Sequence, residues 1–235
     1  MVQMLTICRR LAGGSGVMQM RRREFHRNAL TTLALGGSAM AWAQGKPPAD
    51  GADYISLDQP AATEGGPGKV DVVEFFWYSC PHCNSFEPQL EAWLSKLPKN
   101  VHFRRVPVMF RPNFEPQQRL FYVLEAMGKL PELHKKVFHA IHVEKQTLDT
   151  AELLAAWAAK QGLDRAKFVE HYNSFPVVTK VRRATQLQEQ YKVDGVPSLG
   201  IAGRFFTSGS MAGNMQKALQ VTDYLIGLAA KRTKA

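Results

Sequence analysis

The chain has 235 residues, 45% hydrophobic and 21% charged, the proportions of one globular domain, or one with a sizeable insertion, that can form its core without disulfide bonds. The formal net charge is +10, but residues 1–43 contain six arginines and one glutamate and contribute +5 of it. The other Lys and Arg lie beside Asp and Glu, which argues against the concentrated basic surface of a nucleic-acid-binding protein.

Residues 1–43 have the features of an export signal. Arginines at 21–23 and 27 precede a weakly apolar run at 29–41 that is too short to span a membrane, and Ala41-Trp42-Ala43 has the small-x-small form of a cleavage site. Arg22-Arg23-Glu24-Phe25 resembles a twin-arginine motif, although an ordinary secretory signal explains the same arginines. Both alternatives predict cleavage before Gln44 and a mature protein outside the cytoplasm.

The first predicted elements of the mature chain follow an arm at 45–68 that is rich in Pro and Gly and contains a strand-like stretch at 54–57. Residues 69–77 (KVDVVEFFW) are dense in Val and Phe, which predicts a central strand covered on both faces. Apolar spacing predicts a helix over 80–97, kinked at Pro88. Because 101–109 is strand-like again, this order predicts a βαβ unit with parallel strands.

Residues 113–175 show helical patterns throughout, and we expect a helical insertion there. Asp149 and Glu152 resemble a capping box, and Gly162 is well placed to end the helix that this box begins. The histidines of this region lack carboxylates at matching spacing, which predicts solvated side chains without a role rather than a metal site. This interpretation covers three of the histidines in the region: His134, His139 and His142.

The last predicted elements return to strands. Gly195-Val196-Pro197 precedes two short strand-like runs at 198–201 and 204–207, which Gly203 can join as a hairpin turn. Asn214 is a candidate cap for a final amphipathic helix.

Cys80 and Cys83 form the only cysteine pair of the mature chain, because the third cysteine, Cys8, lies in or before the signal. Two cysteines separated by two residues can close a disulfide within one helical turn, and a single such pair in an exported protein is not a structural staple. At a helix N-terminus, free backbone N–H groups and the positive end of the dipole would stabilise a Cys80 thiolate. Pro81 suits the first helical position, and a protonated His82 adds a positive charge.

A stabilised thiolate favours the dithiol over the disulfide, so the disulfide is easily passed on and the pair is predicted to oxidise rather than reduce its substrates. A zinc site is the alternative for the same pair. It requires about four ligands, and the sequence offers no second CxxC or histidine pair to complete them.

Cys80-Pro81-His82-Cys83 is framed by VEFF at 73–76 and by Phe86-Glu87. With Gly195-Val196-Pro197 and the helical stretch, it resembles the DsbA family of bacterial periplasmic disulfide oxidases over nearly the whole mature chain. The resemblance implies an α/β, thioredoxin-like fold with an inserted helical domain. The thioredoxin-like part would be 44–112 and 176–235, and the insertion 113–175.

The resemblance also implies roles for named residues. Cys80 would be the attacking sulfur, Cys83 the buried resolving sulfur and His82 the residue that tunes Cys80. Val196 and a cis Pro197 would form the loop that faces the disulfide. The implied protein is a monomer that oxidises reduced, unfolded exported polypeptides, is reoxidised by a DsbB-like, quinone-linked membrane oxidase, and needs no metal or cofactor beyond its own disulfide.

Glu74 lies in an apolar strand and points away from Val73 and Phe75. Its position resembles the buried acid that accepts a proton from the inner cysteine in this family, and burial would raise its pKa as that role requires. The alternative is a carboxylate at a sheet edge, paired with a surface lysine. Glu87, on a helix face, is expected to be solvated.

Two other functions compete with the oxidase. An exported reductase or isomerase usually carries a dimerisation domain, for which residues 44–69 leave no room. A redox-inactive binding or chaperone module would present an apolar groove to unfolded chains. Oxidation of a reduced model peptide separates the enzyme from such a module.

Overall fold

The computed structural model describes residues 46–232 of the chain. The predicted export signal at 1–43 and its cleavage site lie outside these residues. Within the described part, no helix combines the length and the apolar character needed to cross a bilayer.

The described residues form a mixed five-stranded sheet flanked by helices. Its strands are β1 (Ile55–Ser56), β2 (Val70–Phe76), β3 (Val101–Pro107), β4 (Ser198–Ile201) and β5 (Phe205–Ser208). The order across the sheet is β1-β5-β4-β2-β3, in which β2 and β3 run parallel and the other neighbours antiparallel. Helix α1 (Pro81–Leu94) connects β2 to β3, which confirms the predicted βαβ unit.

Helices dominate the chain between β3 and β4. After a 3₁₀ turn at Pro112–Phe114 they are α2 (Glu115–Ala126), α3 (Leu130–His142), α4 (Ala151–Lys160), α5 (Arg165–Asn173) and α6 (Phe175–Gln190). The short α7 (Gly209–Ala212) and the long α8 (Met215–Arg232) follow β5. Helices α2–α5 lie within 113–175, but the division of the chain into two domains at these residues stays a prediction.

The central strand β2 is buried along its whole length, as its Val and Phe content predicts for a strand covered on both faces. Val70 and Val72 pack with α1 and α8 on one face. Val73 and Phe75 pack on the other face, with the helices that follow β3. Because side chains alternate along a strand, Glu74 shares the face of α1.

Two helix starts and one helix end test the capping predictions. Thr150, not Asp149, caps α4: its backbone is extended and its hydroxyl accepts a hydrogen bond from the Leu153 N–H at 3.3 Å, which corrects the predicted capping box by one residue. Gly162 follows the end of α4 with φ +85°, the conformation that glycine tolerates best. Asn214 caps α8 as predicted.

Candidate active site

Cys80 and Cys83 lie where the chain leaves β2 and enters α1. Cys80 is the N-cap residue of the helix. The Cys83 N–H donates to the Cys80 sulfur at 3.4 Å, and the Cys80 N–H donates to the Trp77 carbonyl at 3.1 Å. Both cysteines are free thiols in the structure. Because Cys80 is the N-cap residue and accepts this hydrogen bond, its sulfur lies at the helix N-terminus.

The surroundings of Cys80 stabilise its thiolate. The hydrogen bond with the Cys83 side chain is the largest cause that lowers the pKa of Cys80, from 9.0 to about 6. Burial opposes this shift, whereas the backbone N–H groups of Cys83 and His82, and then the charge of His82, add to it. The His82 side chain is exposed, and its charge contributes least among these causes.

Cys83 has the opposite environment. It is fully buried, and burial raises the pKa of its thiol far above the ordinary value. The hydrogen bond to Cys80 and the charges of Cys80 and Glu74 raise this pKa further. At neutral pH the pair therefore consists of one thiolate and one protonated thiol.

The loop before β4 faces this pair. The Cys80 sulfur lies 3.5 Å from the Val196 carbonyl oxygen, and the bond between Val196 and Pro197 is cis. Pro197 directly precedes Ser198, which pairs with Phe75 of β2, so the sheet brings this distant loop to the cysteines.

Glu74 is fully buried on β2 between two neighbouring strands, which contradicts the sheet-edge alternative. Arg105, its register partner on β3, donates from Nε to Glu74 Oε2 at 3.0 Å, while Glu74 Oε1 has no partner. Burial raises the pKa of Glu74 to about 8; the charge of Arg105 opposes the rise and that of Glu87 adds to it. A carboxyl group that titrates near neutral pH can exchange a proton with Cys83, whose thiol feels its charge.

Arg105 is a site residue that the sequence analysis missed. Its guanidinium also donates to Glu87 at 3.2 Å and to Glu91 at 2.9 Å, both on α1. Glu87 is buried, so the expectation of a solvated glutamate is wrong: this face of α1 packs on the sheet, where Arg105 compensates the charge. Two consecutive arginines within a strand-like segment were the available signal, because alternation must turn one of them towards α1.

Two histidines of α3 hold the loop before Cys80, which corrects the expectation that they are solvated. His134 is only 5% exposed, and its Nδ1 lies 2.9 Å from the Tyr78 hydroxyl. His142 Nε2 lies 2.7 Å from the Tyr78 carbonyl. His139, in contrast, is exposed as predicted. His134 and His142 are not solvated because α3 packs against this loop, whose buried polar groups need hydrogen-bond partners.

The neighbours of Tyr78 are held from α2 and the turn before it. Gln117 accepts a hydrogen bond from the Ser79 N–H at 3.2 Å and donates to the Ser79 hydroxyl at 2.6 Å. The Trp77 ring stacks on Phe114 with the ring centres 3.8 Å apart.

Among residues 46–232, no group of three or more His, Cys, Asp or Glu side chains is arranged to hold a metal ion.

The chain is similar in sequence and in fold to known proteins. Residues 71–220 match the family model described as the DSBA-like thioredoxin domain. The chain is 40% identical over 200 residues to the thiol:disulfide interchange protein DsbA of Burkholderia cepacia, with 84% of this chain and 94% of that protein covered. Its identity to the same protein of Bordetella parapertussis is 44% over 174 residues, which cover 74% and 82% of the two chains. The crystal structure of Pseudomonas aeruginosa DsbA matches with a TM-score of 0.74 at 38% identity, over 79% of this chain and 96% of that one.

Proposed function

We propose that this chain, which belongs to the DSBA-like thioredoxin family, performs the thiol:disulfide exchange of that family with Cys80 and Cys83. Family membership confirms three expectations: a thioredoxin-like fold, an enzyme that oxidises exported proteins, and a redox-active disulfide in place of an external cofactor. What we add are the roles of individual residues, the location and the membrane partner.

The contrast between the two sulfurs is the observation that carries the proposal. Cys80, at the helix start, has a pKa lowered to about 6, whereas burial raises that of Cys83. A stable Cys80 thiolate is a good leaving group and favours the reduced enzyme, so the disulfide is readily donated. A reductase would need the opposite preference.

The reaction takes two exchange steps. A client thiolate attacks the Cys80 sulfur, the bond between Cys80 and Cys83 breaks, and Cys83 leaves and takes up a proton. A second client thiolate then attacks the client sulfur of the mixed disulfide, and Cys80 leaves as a thiolate. The client gains a disulfide, and the enzyme becomes a dithiol with one proton on Cys83.

Glu74 supplies that proton and takes it back when the disulfide re-forms. Three features support this role: its complete burial, its unpartnered Oε1, and its pKa of about 8, which lets it hold a proton at neutral pH. Arg105 keeps the ionised form of Glu74 accessible by offering it a charge partner at 3.0 Å.

The other residues shape the surroundings of Cys80. His82 adds a positive charge, and Pro81 starts the helix without losing a needed N–H. Val196 and Pro197 form the loop that faces the sulfur, and the Val196 carbonyl is within reach of the Cys80 thiol.

Each turnover leaves a dithiol, so a disulfide donor must reoxidise the enzyme. We assign this step to a DsbB-like, quinone-linked membrane oxidase, and place the mature protein as a monomer in the periplasm. The predicted signal at 1–43 supports the location, and the family of the relatives supports the partner.

Serine variants and a redox titration test the proposal. The wild-type protein should oxidise a reduced dithiol peptide, and in equilibrium with glutathione its disulfide should be reduced far more easily than a structural disulfide. Cys83→Ser should accumulate mixed disulfides through Cys80, whereas Cys80→Ser should form none. Activity retained in Cys80→Ser would refute the assignment of the nucleophile. Peptide binding without oxidation would instead indicate a redox-inactive binding module.

A further inference from the structure

Strand β3 forms an open edge of the sheet, because in the described part of the chain it pairs with β2 alone. The backbone N–H and C=O groups of a paired strand point alternately towards its neighbour and away from it. The Val70 N–H donates to the Asn100 carbonyl at 2.8 Å, and the Val108 N–H donates to the Phe76 carbonyl at 2.9 Å. The even-numbered residues of β3 therefore bond to β2, and the odd-numbered residues turn their backbone groups to the open side.

Side chains from two helices cover this edge where β3 ends. Gln118 of α2 donates to the Pro107 carbonyl at 2.8 Å. Gln188 of α6 accepts a hydrogen bond from the Met109 N–H, also at 2.8 Å. Both glutamines are buried, so they satisfy backbone groups that water does not reach.

The edge is open at Phe103 and Arg105. Among residues 46–232, no backbone group or side chain bonds to the N–H and C=O groups that these two residues turn to the open side. Both residues line a groove of about 1070 Å³, whose opposite wall is formed by α2, α3 and α6. Two N–H and two C=O groups at a spacing of two residues match the backbone of an extended polypeptide segment, which can add to such an edge as a further strand.

The charges of the groove favour an acidic segment. Its lining contains five Lys and Arg side chains but only three Glu side chains. Four of these cations have carboxylate partners. The fifth, Arg183, is exposed on α6 and has no acidic partner in the part of the chain that the structure describes. A carboxylate on the occupant would supply the partner that Arg183 lacks.

The two sides of the groove differ in polarity. Side chains alternate along a strand, so those of an added segment would face the helix that carries Arg183 and the side of α1 in turn. On the α1 side, the half-buried Phe103 lies against Trp93 with the ring centres 6.3 Å apart. An apolar side chain fits next to Phe103, and an acidic one fits opposite Arg183. The groove therefore suits a segment in which acidic and apolar residues alternate.

We propose that this groove binds an extended, acidic segment of a polypeptide, which adds to β3 as a sixth strand, bonds to the backbone of Phe103 and Arg105, and directs a carboxylate to Arg183. The inference goes beyond the proposed function, because this binding uses neither cysteine and involves no thiol–disulfide exchange.

A peptide without cysteine tests the proposal in the oxidised protein, so the outcome does not depend on the redox chemistry. The probe is TVEVEVT, acetylated and amidated, added to ¹⁵N-labelled protein. We expect the amide signals of Phe103 and Arg105 to shift, and their hydrogen exchange to slow about tenfold or more at saturation, because each N–H gains an acceptor. Signals that shift only around Cys80 and Val196 would show that the peptide binds at the active site, and would overturn the proposal.

Charge reversal at two neighbouring residues tests the preference for acidic segments. The lysine peptide TVKVKVT should bind the wild-type protein about fivefold more weakly than TVEVEVT. Arg183→Glu should remove this preference, whereas Arg182→Glu makes the same change at an exposed residue outside the groove lining and should keep it. Equal affinity of the wild-type protein for the two peptides, or the same result in both variants, would refute the role of Arg183.

Methylation of alternate peptide amides tests the strand pairing itself. Only every second amide of an added strand faces β3. Of two TVEVEVT peptides, one methylated at the valine amides and the other at the glutamate amides, one should therefore lose binding and the other should keep it. If both methylated peptides bind equally, the segment does not add to β3 as a strand, and the proposal fails.

Discussion

At the scale of single residues, the two cysteines differ because of their places in one helical turn. Cys80 caps α1 and receives hydrogen bonds from Cys83 and from backbone N–H groups, and Cys83 is in the core. The backbone N–H groups persist whatever side chain occupies position 82. The exposed His82 can therefore adjust the Cys80 thiolate but does not create it.

Replacing His82 tests this division. In His82→Leu we expect the pKa of Cys80 to rise by about half a unit, and the reduction potential to fall in step by about 15 mV, at roughly 30 mV per tenfold change. Thiolate absorbance against pH and a glutathione titration measure both quantities, and His139→Leu is the control for loss of an exposed histidine. A rise of two units or more would show that the side chain, not the helix start, dominates.

The sequence identifies the residues of the site whose chemistry is local. Cys80, Cys83 and His82 form one motif, and Glu74 stands out as an acid in an apolar strand. The partners of these residues come from other segments, 31 positions along the chain in the case of Arg105. Periodicity tells which side of an element a residue faces, but not which side chain it meets there, so the buried states of Glu87 and His134 were not predicted.

At the scale of elements, sequence patterns locate the strands well and their ends less well. Strand β4 spans 198–201 as predicted, whereas β3 ends at Pro107, two residues before the predicted end, because its partner β2 ends at the paired residue Phe76. The predicted hairpin is confirmed: both Ala202 and Gly203 have positive φ, the geometry of the tight turns that fit twisted strands.

Strand β4 also has a requirement that no pattern reveals. A Cβ at Gly200 would lie 2.4 Å from the ring of Tyr191, which is fully buried and accepts a hydrogen bond from the Gly203 N–H at 3.0 Å. The ring therefore fills the space that a side chain at position 200 would occupy. Glycine is needed here for close packing, not for an unusual backbone angle.

Gly200→Ala should destabilise the protein by about 2 kcal/mol, because Tyr191 must move within a packed core. Urea unfolding measures this free energy. The control is Gly227→Ala on the exposed side of α8, where a Cβ meets nothing within 4 Å, and where alanine should stabilise the helix by up to about 1 kcal/mol. Equal stability of Gly200→Ala and wild type would mean that Tyr191 adapts without cost.

At the scale of the whole molecule, the same two groups that serve the chemistry tie stability to pH in opposite senses. The pKa of Glu74 is raised from 4.5 to about 8, so between these values the folded protein holds a proton that the unfolded chain has lost, and stability falls as pH rises. The pKa of Cys80 is lowered from 9.0 to about 6, so in the reduced protein stability rises across that window. Between pH 6 and 8 the two effects overlap.

We therefore expect the contributions of Glu74 and Cys80 to cancel in the reduced protein between pH 6 and 8, and single variants to separate them. Glu74→Gln should leave the rise due to Cys80, with a slope of at most about 1.4 kcal/mol per pH unit, the limit for one proton. Cys80→Ser should leave the fall due to Glu74, with a slope that approaches the same limit. Urea unfolding of the reduced proteins at intervals of half a pH unit gives these curves, and the difference between wild type and each variant isolates the contribution of the replaced group. Parallel curves for wild type and Glu74→Gln would show that Glu74 binds its proton no more tightly in the fold than in the unfolded chain.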